Sequence, residues 1–265
     1  MKNNIITTIG KGKPHIAIVG CVHGDEIIGQ KVINEIKKIK LLRGSISFII
    51  ANPAAVAKKK RFIFKDLNRA FPGKEGGRVE EGVAYRLIPA LKQFAIVLDI
   101  HATNSNFNCL AVVTKLNKQV KQLLAFTPIT KMALIRKKVF GGSSLIDHCK
   151  LGISLEYGPN KTGRNYKKAL ADIKVILRNL KMLPGQVEVY KQKELFTVSG
   201  TYAVSGQFKQ NSELKDFQLI KRGETVGFTG QKPIVSSKSF YPLFLGKGRY
   251  PKILSLVASK SYLRL

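Results

Sequence analysis

The chain has 265 residues, of which 44% are hydrophobic and 23% charged, enough to bury the core of one medium domain or slightly more. Forty-six Lys and Arg against sixteen Asp and Glu give a net charge of +30, a field that attracts anions. No apolar run approaches the ~20 residues that span a bilayer, "MKNNIITTIGKGKPH" lacks the apolar segment of a secretory leader, and Cys21, Cys109 and Cys149 show no framework spacing, so a cytoplasmic protein with reduced thiols is expected.

In chain order, short Ile- and Val-rich runs alternate with helical periodicities. "IAIVGCV" (16–22), "ISFIIAN" (46–52), "AIVLDI" (95–100) and "CLAVV" (109–113) read as buried strands. Ile28, Val32, Ile36 and Ile39 share one face of a helix within 27–40, with lysines opposite. A second helix lies within 78–93, with Pro89 as its stop or kink, and a third spans 166–182, where Ala169, Ile173, Ile176 and Leu180 repeat at helical spacing. After "LPGQ" (183–186) the runs "VEVY", "LFTVSGTYAV", "FQLI" and "TVGFTG" are short, turn-punctuated and strand-like. The expectation is an α/β domain over 1–184, a sheet flanked by helices, followed by a smaller β-rich domain over 185–265.

Three of the apolar runs end in chemistry. The first leads into "GCVHGDEIIG", which carries His23 and Glu26 at i, i+3; a polar strand-to-helix turn and a metal site both account for this stretch taken alone. The second leads to Arg61, Asp66, Asn68 and Arg69, and the third ends in Asp99 and His101. In an open α/β sheet ligands bind beyond the carboxyl ends of the strands, where residues distant in sequence converge. His23, Glu26 and His101 together make a two-His, one-carboxylate zinc shell with an open position. His15 and His148 have no such company. The lysine clusters "KKIK" (37–40) and "KKKR" (58–61) are short and not interleaved with aromatics, and no nucleic-acid module is present.

"HGDE" (23–26), "NPAAVAKKKRFIFKDLNRAF" (52–71), "DIHATNSN" (99–106) and "LEYGP" (155–159) resemble, in order and approximate spacing, the aspartoacylase and succinylglutamate desuccinylase branch of the zinc carboxypeptidase-like hydrolases. "YPLFLGKGRY" (241–250) resembles the segment whose closing Tyr, here Tyr250, reaches the active site. The resemblance covers nearly the whole chain, densely in 16–160 and thinly in 185–240. It implies a mixed sheet flanked by helices, with the C-terminal β domain covering the site. One Zn2+ per chain would be held by His23, Glu26 and His101.

By the same resemblance Glu156 is the general base, Arg61 polarises the scissile carbonyl, Asn68 and Arg69 hold a substrate carboxylate, and Tyr250 donates a hydroxyl. The implied reaction is hydrolysis of the amide bond of a small N-acyl amino acid. Asp66 and Asp99 read as residues supporting the ligands, with Asp99 on the face of His101 only if the strand persists. One departure stands out: where aspartoacylases carry an arginine for a second substrate carboxylate, this chain has Ile146, with only His148 and Lys150 nearby. Selectivity for an aspartate derivative is therefore not implied. A homo-oligomer is compatible with the sequence, but the short C-terminal part carries over no oligomeric contacts. Two alternatives are a metallocarboxypeptidase acting on small peptides and a non-catalytic protein using its +30 charge to bind nucleic acid or anionic lipid.

Overall fold

A computed structural model describes residues 5–136, 139, 142–159, 163–246 and 252–265. Its frame is a ten-stranded sheet built from β1 (Ile5–Lys11), β2 (His15–Gly20), β3 (Gly44–Ile50), β4 (Ile96–Ala102), β5 (Cys109–Val113), β6 (Lys131–Leu134), β7 (Gly152–Tyr157), β8 (Gln192–Ala203), β12 (Tyr241–Leu243) and β13 (Ile253–Arg264). The spatial order is β1-β3-β2-β4-β7-β5-β6-β8-β13-β12. β3, β2, β4 and β7 run parallel; β5 opposes β7, and β5, β6 and β8 are again parallel. The remaining strands, β9 (Phe208–Gln210), β10 (Thr225–Thr229) and β11 (Lys232–Val235), form a small antiparallel sheet.

Side chains alternate across the sheet, as strand geometry requires. Ile16, Ile18, Leu98 and Ile100 face α1 (Ile28–Ile36), α4 (Lys118–Ala125) and α5 (Gly163–Asn179) in the larger core. Ala17, Val19 and Val97 face the opposite layer, where Val83, Ala84, Leu87 and Leu91 of α3 (Val79–Leu91) pack. The expected α/β architecture, a sheet between helices, is therefore present. Val97, Asp99 and His101 share the α3 face at consecutive odd positions of β4, and there the hydrophobic layer gives way to ionisable groups.

Several local expectations need correction. Pro89 lies inside α3, which runs on two residues past it to Leu91 before the cap at Lys92; its ring removes one i→i−4 hydrogen bond close to the helix end. "VEVY" forms no strand: Val187 and Val189 are exposed, and the segment is tied to α5 and α4 through Asn179 and the Ala125 carbonyl. "FQLI" contributes only the isolated bridge of Ile220 with Phe240. Conversely, β1, α2 (Pro53–Ala57), α4 and β6 escaped the periodicity. Residues beyond 185 add β8, β13 and β12 to the main sheet and supply the whole of the small one.

Candidate metal centre and active-site cavity

The turn after β2 is shaped by close backbone approach. A Cβ on Gly24 would lie 2.2 Å from the carbonyl carbon of Ala55, and one on Gly29 would lie 2.6 Å from the Gly20 Cα, so neither glycine tolerates a side chain in place. Cys21, with φ +56°, turns the chain out of the strand in the left-handed region. This contour drops His23 and Glu26 beside the end of β4.

His23, Glu26 and His101 are buried, and each offers a ligand atom, all within 4.8 Å of one another. Glu26 is the hinge of the cluster. Its Oε1 lies 2.8 Å from His23 Nδ1 and its Oε2 lies 3.0 Å from His101 Nδ1. Oε2 also accepts the Ala102 N–H at 2.9 Å, and Oε1 accepts from Arg61 Nη1 at 2.9 Å. The far nitrogen of each imidazole meets a second carboxylate: His23 Nε2 is 3.1 Å from Asp66 Oδ1, and His101 Nε2 is 2.8 Å from Asp99 Oδ2. That carboxylate–imidazole relay is the arrangement that fixes ring orientation and tautomer at metal sites. Ser154 Oγ in turn donates to Asp99 Oδ2 at 3.1 Å.

A cation fits this donor set. Buried His23 Nδ1 sits close to Glu26 Oε1 yet makes no aligned hydrogen bond, an arrangement that a shared cation would satisfy. Burial pushes the Glu26 carboxyl up, but the neighbouring His23 and His101 outweigh it and hold the group well below the usual range. Burial likewise opposes charge on His101, and Asp99, Glu26 and Glu156 overcome it, raising the imidazole well above its ordinary value. Asp66 is also pulled far down, against burial, by His23, Arg61 and Arg69.

The "DLNR" stretch organises the next layer. Asp66 caps the 3-10 turn Leu67–Arg69 by accepting the Asn68 N–H at 2.9 Å, while its other oxygen receives Arg61 Nη2 at 3.1 Å. Arg61 therefore bridges Glu26 and Asp66. Asn68 Oδ1 accepts the Leu145 N–H at 3.0 Å, its Nδ2 lies 3.4 Å from His101 Nε2, and Arg69 Nη1 donates to the Asn68 carbonyl at 2.7 Å. Glu156 neighbours His101 directly, since the two are register partners on the parallel strands β4 and β7.

His23, Arg61, Asn68, Arg69 and Glu156 line a cavity of about 340 Å³. The metal candidates, Glu156, Arg61, Asn68 and Arg69 are thus brought to one place, whereas Tyr250 lies outside the described residues. His148 is engaged with Ser143 Oγ and stacked on Phe71, and neither it nor Lys150 lines the cavity. Buried Ile146 does, together with Val112, Ile135, Phe244 and Leu256. Sequence reasoning missed Arg136 and Ser255, which also line the cavity. Neither stands near a motif; only the folded sheet brings them here.

Residues 12–183 match the family model described as the succinylglutamate desuccinylase/aspartoacylase catalytic domain. The chain is 23% identical over 301 residues to N-acyl-aromatic-L-amino acid amidohydrolase (carboxylate-forming) A of Danio rerio, covering 94% of this chain and 89% of that protein. It is also 23% identical over 276 residues to aspartoacylase of Rattus norvegicus, covering 89% and 88%. The crystal structure of murine aminoacylase 3 superposes with a TM-score of 0.78 at 20% identity, covering 96% of this chain and 98% of the other.

Proposed function

The chain belongs to the succinylglutamate desuccinylase/aspartoacylase family, and on that premise we propose that it is a zinc-dependent amidohydrolase that splits an N-acyl amino acid into a carboxylic acid and a free amino acid. The observation that carries this reading is the convergence of His23, Glu26 and His101, with Glu156 next to His101 on the adjacent strand. A cytoplasmic setting, in which the three free cysteines stay reduced, is part of it.

In this mechanism His23, Glu26 and His101 would hold the ion, and zinc bound there would supply Lewis acidity that makes water a nucleophile near neutral pH. Asp66 and Asp99 keep the two imidazoles turned with Nδ1 toward Glu26. Glu156 takes the proton of the attacking water and returns it to the departing amine. Arg61, steered by Glu26 and Asp66, presents its charge to the carbonyl oxygen as negative charge develops there. Asn68 and Arg69 hold the substrate α-carboxylate, for which a guanidinium fork is suited. Phe244, Leu245 and Leu256 of the segment beyond 185 line the cavity, and Tyr250 is proposed to add a hydroxyl.

Ile146, Ile135, Val112, Phe244 and Leu256 favour an apolar amino-acid side chain, as the name of the Danio rerio relative suggests. Arg136 favours a second reading, a dianionic substrate whose extra carboxylate it would pair. Both are tested by metal analysis and release of free amine from N-acetyl and N-succinyl derivatives of Phe, Leu, Asp and Glu. The proposal predicts about one zinc per chain and faster turnover of N-acetyl-Phe than of N-acetyl-Asp. Faster N-acetyl-Asp turnover, lost in Arg136→Ala, establishes the second reading; no amine release from any derivative by the zinc-loaded protein overturns both.

A further inference from the structure

The loop that carries Arg61 into the metal centre has an outer side the catalytic reading leaves unused. Immediately after "KKKR" come Phe62, Ile63 and Phe64, exposed by 38%, 40% and 44%, an unusual run of three bulky apolar side chains facing water. Lys58, Lys59, Lys60 and Lys65 flank them and are all exposed. Among the described residues none of these four ammonium groups meets a carboxylate. The run lies in a basic stretch of the chain: no acidic residue occurs between Glu35 and Asp66.

The outward display is built in. Glu80, fully buried on α3, accepts the backbone N–H groups of Ile63 at 2.6 Å, Phe64 at 3.0 Å and Lys65 at 3.2 Å, and the Asn52 amide at 3.2 Å. Three successive backbone donors drawn inward to one carboxylate fix the loop while its side chains stay on the surface. The Arg78 guanidinium lies 4.2 Å from the Phe64 ring centroid, adding positive charge at the rim.

We propose that this loop is a docking tip for an anionic lipid bilayer, with Phe62, Ile63 and Phe64 entering the headgroup–acyl boundary and Lys58, Lys59, Lys60 and Lys65 meeting acidic headgroups. The charge selects this partner: a second copy seated on the same patch would bring eight of these lysines together. Ile63, central in the run, has no ring face for a nucleobase to stack on, whereas a hydrocarbon boundary accepts aliphatic and aromatic side chains alike. Apolar insertion combined with a polybasic fringe gives the two signals that reversible attachment needs. Among the described residues no helix is long and apolar enough to cross a membrane.

The chain contains no tryptophan, so Phe62→Trp places a single, selectively excitable indole in the tip. Vesicles of phosphatidylcholine with about 30% phosphatidylserine, at roughly 0.15 M salt, should sediment the protein and shift that emission to the blue, while pure phosphatidylcholine should do neither. Phe62→Ser with Phe64→Ser should weaken binding about tenfold. Lys58→Glu, Lys59→Glu and Lys60→Glu together should weaken it about a hundredfold, with turnover of a soluble substrate unchanged in both variants. The proposal is overturned by absence of binding to the acidic vesicles, by an unshifted Phe62→Trp emission in vesicle-bound protein, or by full binding of the serine variant, which would assign attachment to diffuse charge. Tighter, loop-dependent binding to a DNA duplex, or a dimer in sedimentation velocity that the serine variant dissolves, would overturn it equally.

Discussion

Asp99 Oδ2 lies 2.8 Å from His101 Nε2 while His101 Nδ1 faces Glu26 at 3.0 Å, so one buried imidazole is held by a carboxylate at each nitrogen. Asp99→Asn keeps the shape and removes the charge that orients the ring and raises its basicity. Metal affinity should fall about 10- to 100-fold, read by competition with a chelating dye. An affinity within twofold of the parent protein would mean that Asp99 serves only the packing of β4.

Glu156 stands beside His101 in the β4–β7 ladder and lines the cavity. Glu156→Gln preserves its volume and abolishes its basicity. Turnover should drop by roughly 10²- to 10⁴-fold, with metal content and melting temperature unchanged. Retained turnover in a metal-replete variant removes the base assignment.

Glu80 ties the Ile63–Lys65 backbone to α3 through three N–H donors. In Glu80→Ala those donors lose their acceptor, and urea unfolding should show a loss of roughly 3 kcal/mol. Because Arg61 belongs to the same loop, kcat should fall as well, even where the protein remains folded.

Asp216 accepts the Leu245 N–H at 2.9 Å and thereby holds a segment whose residues line the cavity. Burial lifts its carboxyl from 3.8 to about 7, against the opposing pull of the Leu245 and Phe244 amides. Between those values the folded chain keeps a proton that the unfolded chain has released, so this group's contribution to stability declines as pH rises through that window. Asp216→Asn does not titrate. Thermal melts should therefore show the variant gaining on the parent from pH 4 to pH 7, with no further change above; a pH-independent difference would contradict the assignment.

The parts of the fold legible in the sequence were those whose signals are local. Ile- and Val-rich runs announced β2 to β5, and the residues at the ends of β2 and β4 pointed to the candidate metal cluster, because strand ends place chemistry predictably in an open sheet. Asp99 shows where this stops: its partnership with His101 depends on β4 continuing to Ala102, a length set by pairing with β7 rather than by composition. Arg136 and Ser255 could not be read at all, since they reach the cavity only through strands that join the sheet far along its width. The apolar run after "KKKR" was visible as letters, but its exposure depends on Glu80, a tertiary anchor.

The parallel pairing of β6 with β8 has a practical consequence. A fragment ending near residue 184 would strip β8 from β6 and leave a row of naked amides and carbonyls open to intermolecular strand addition. Such a truncation should precipitate or form fibres.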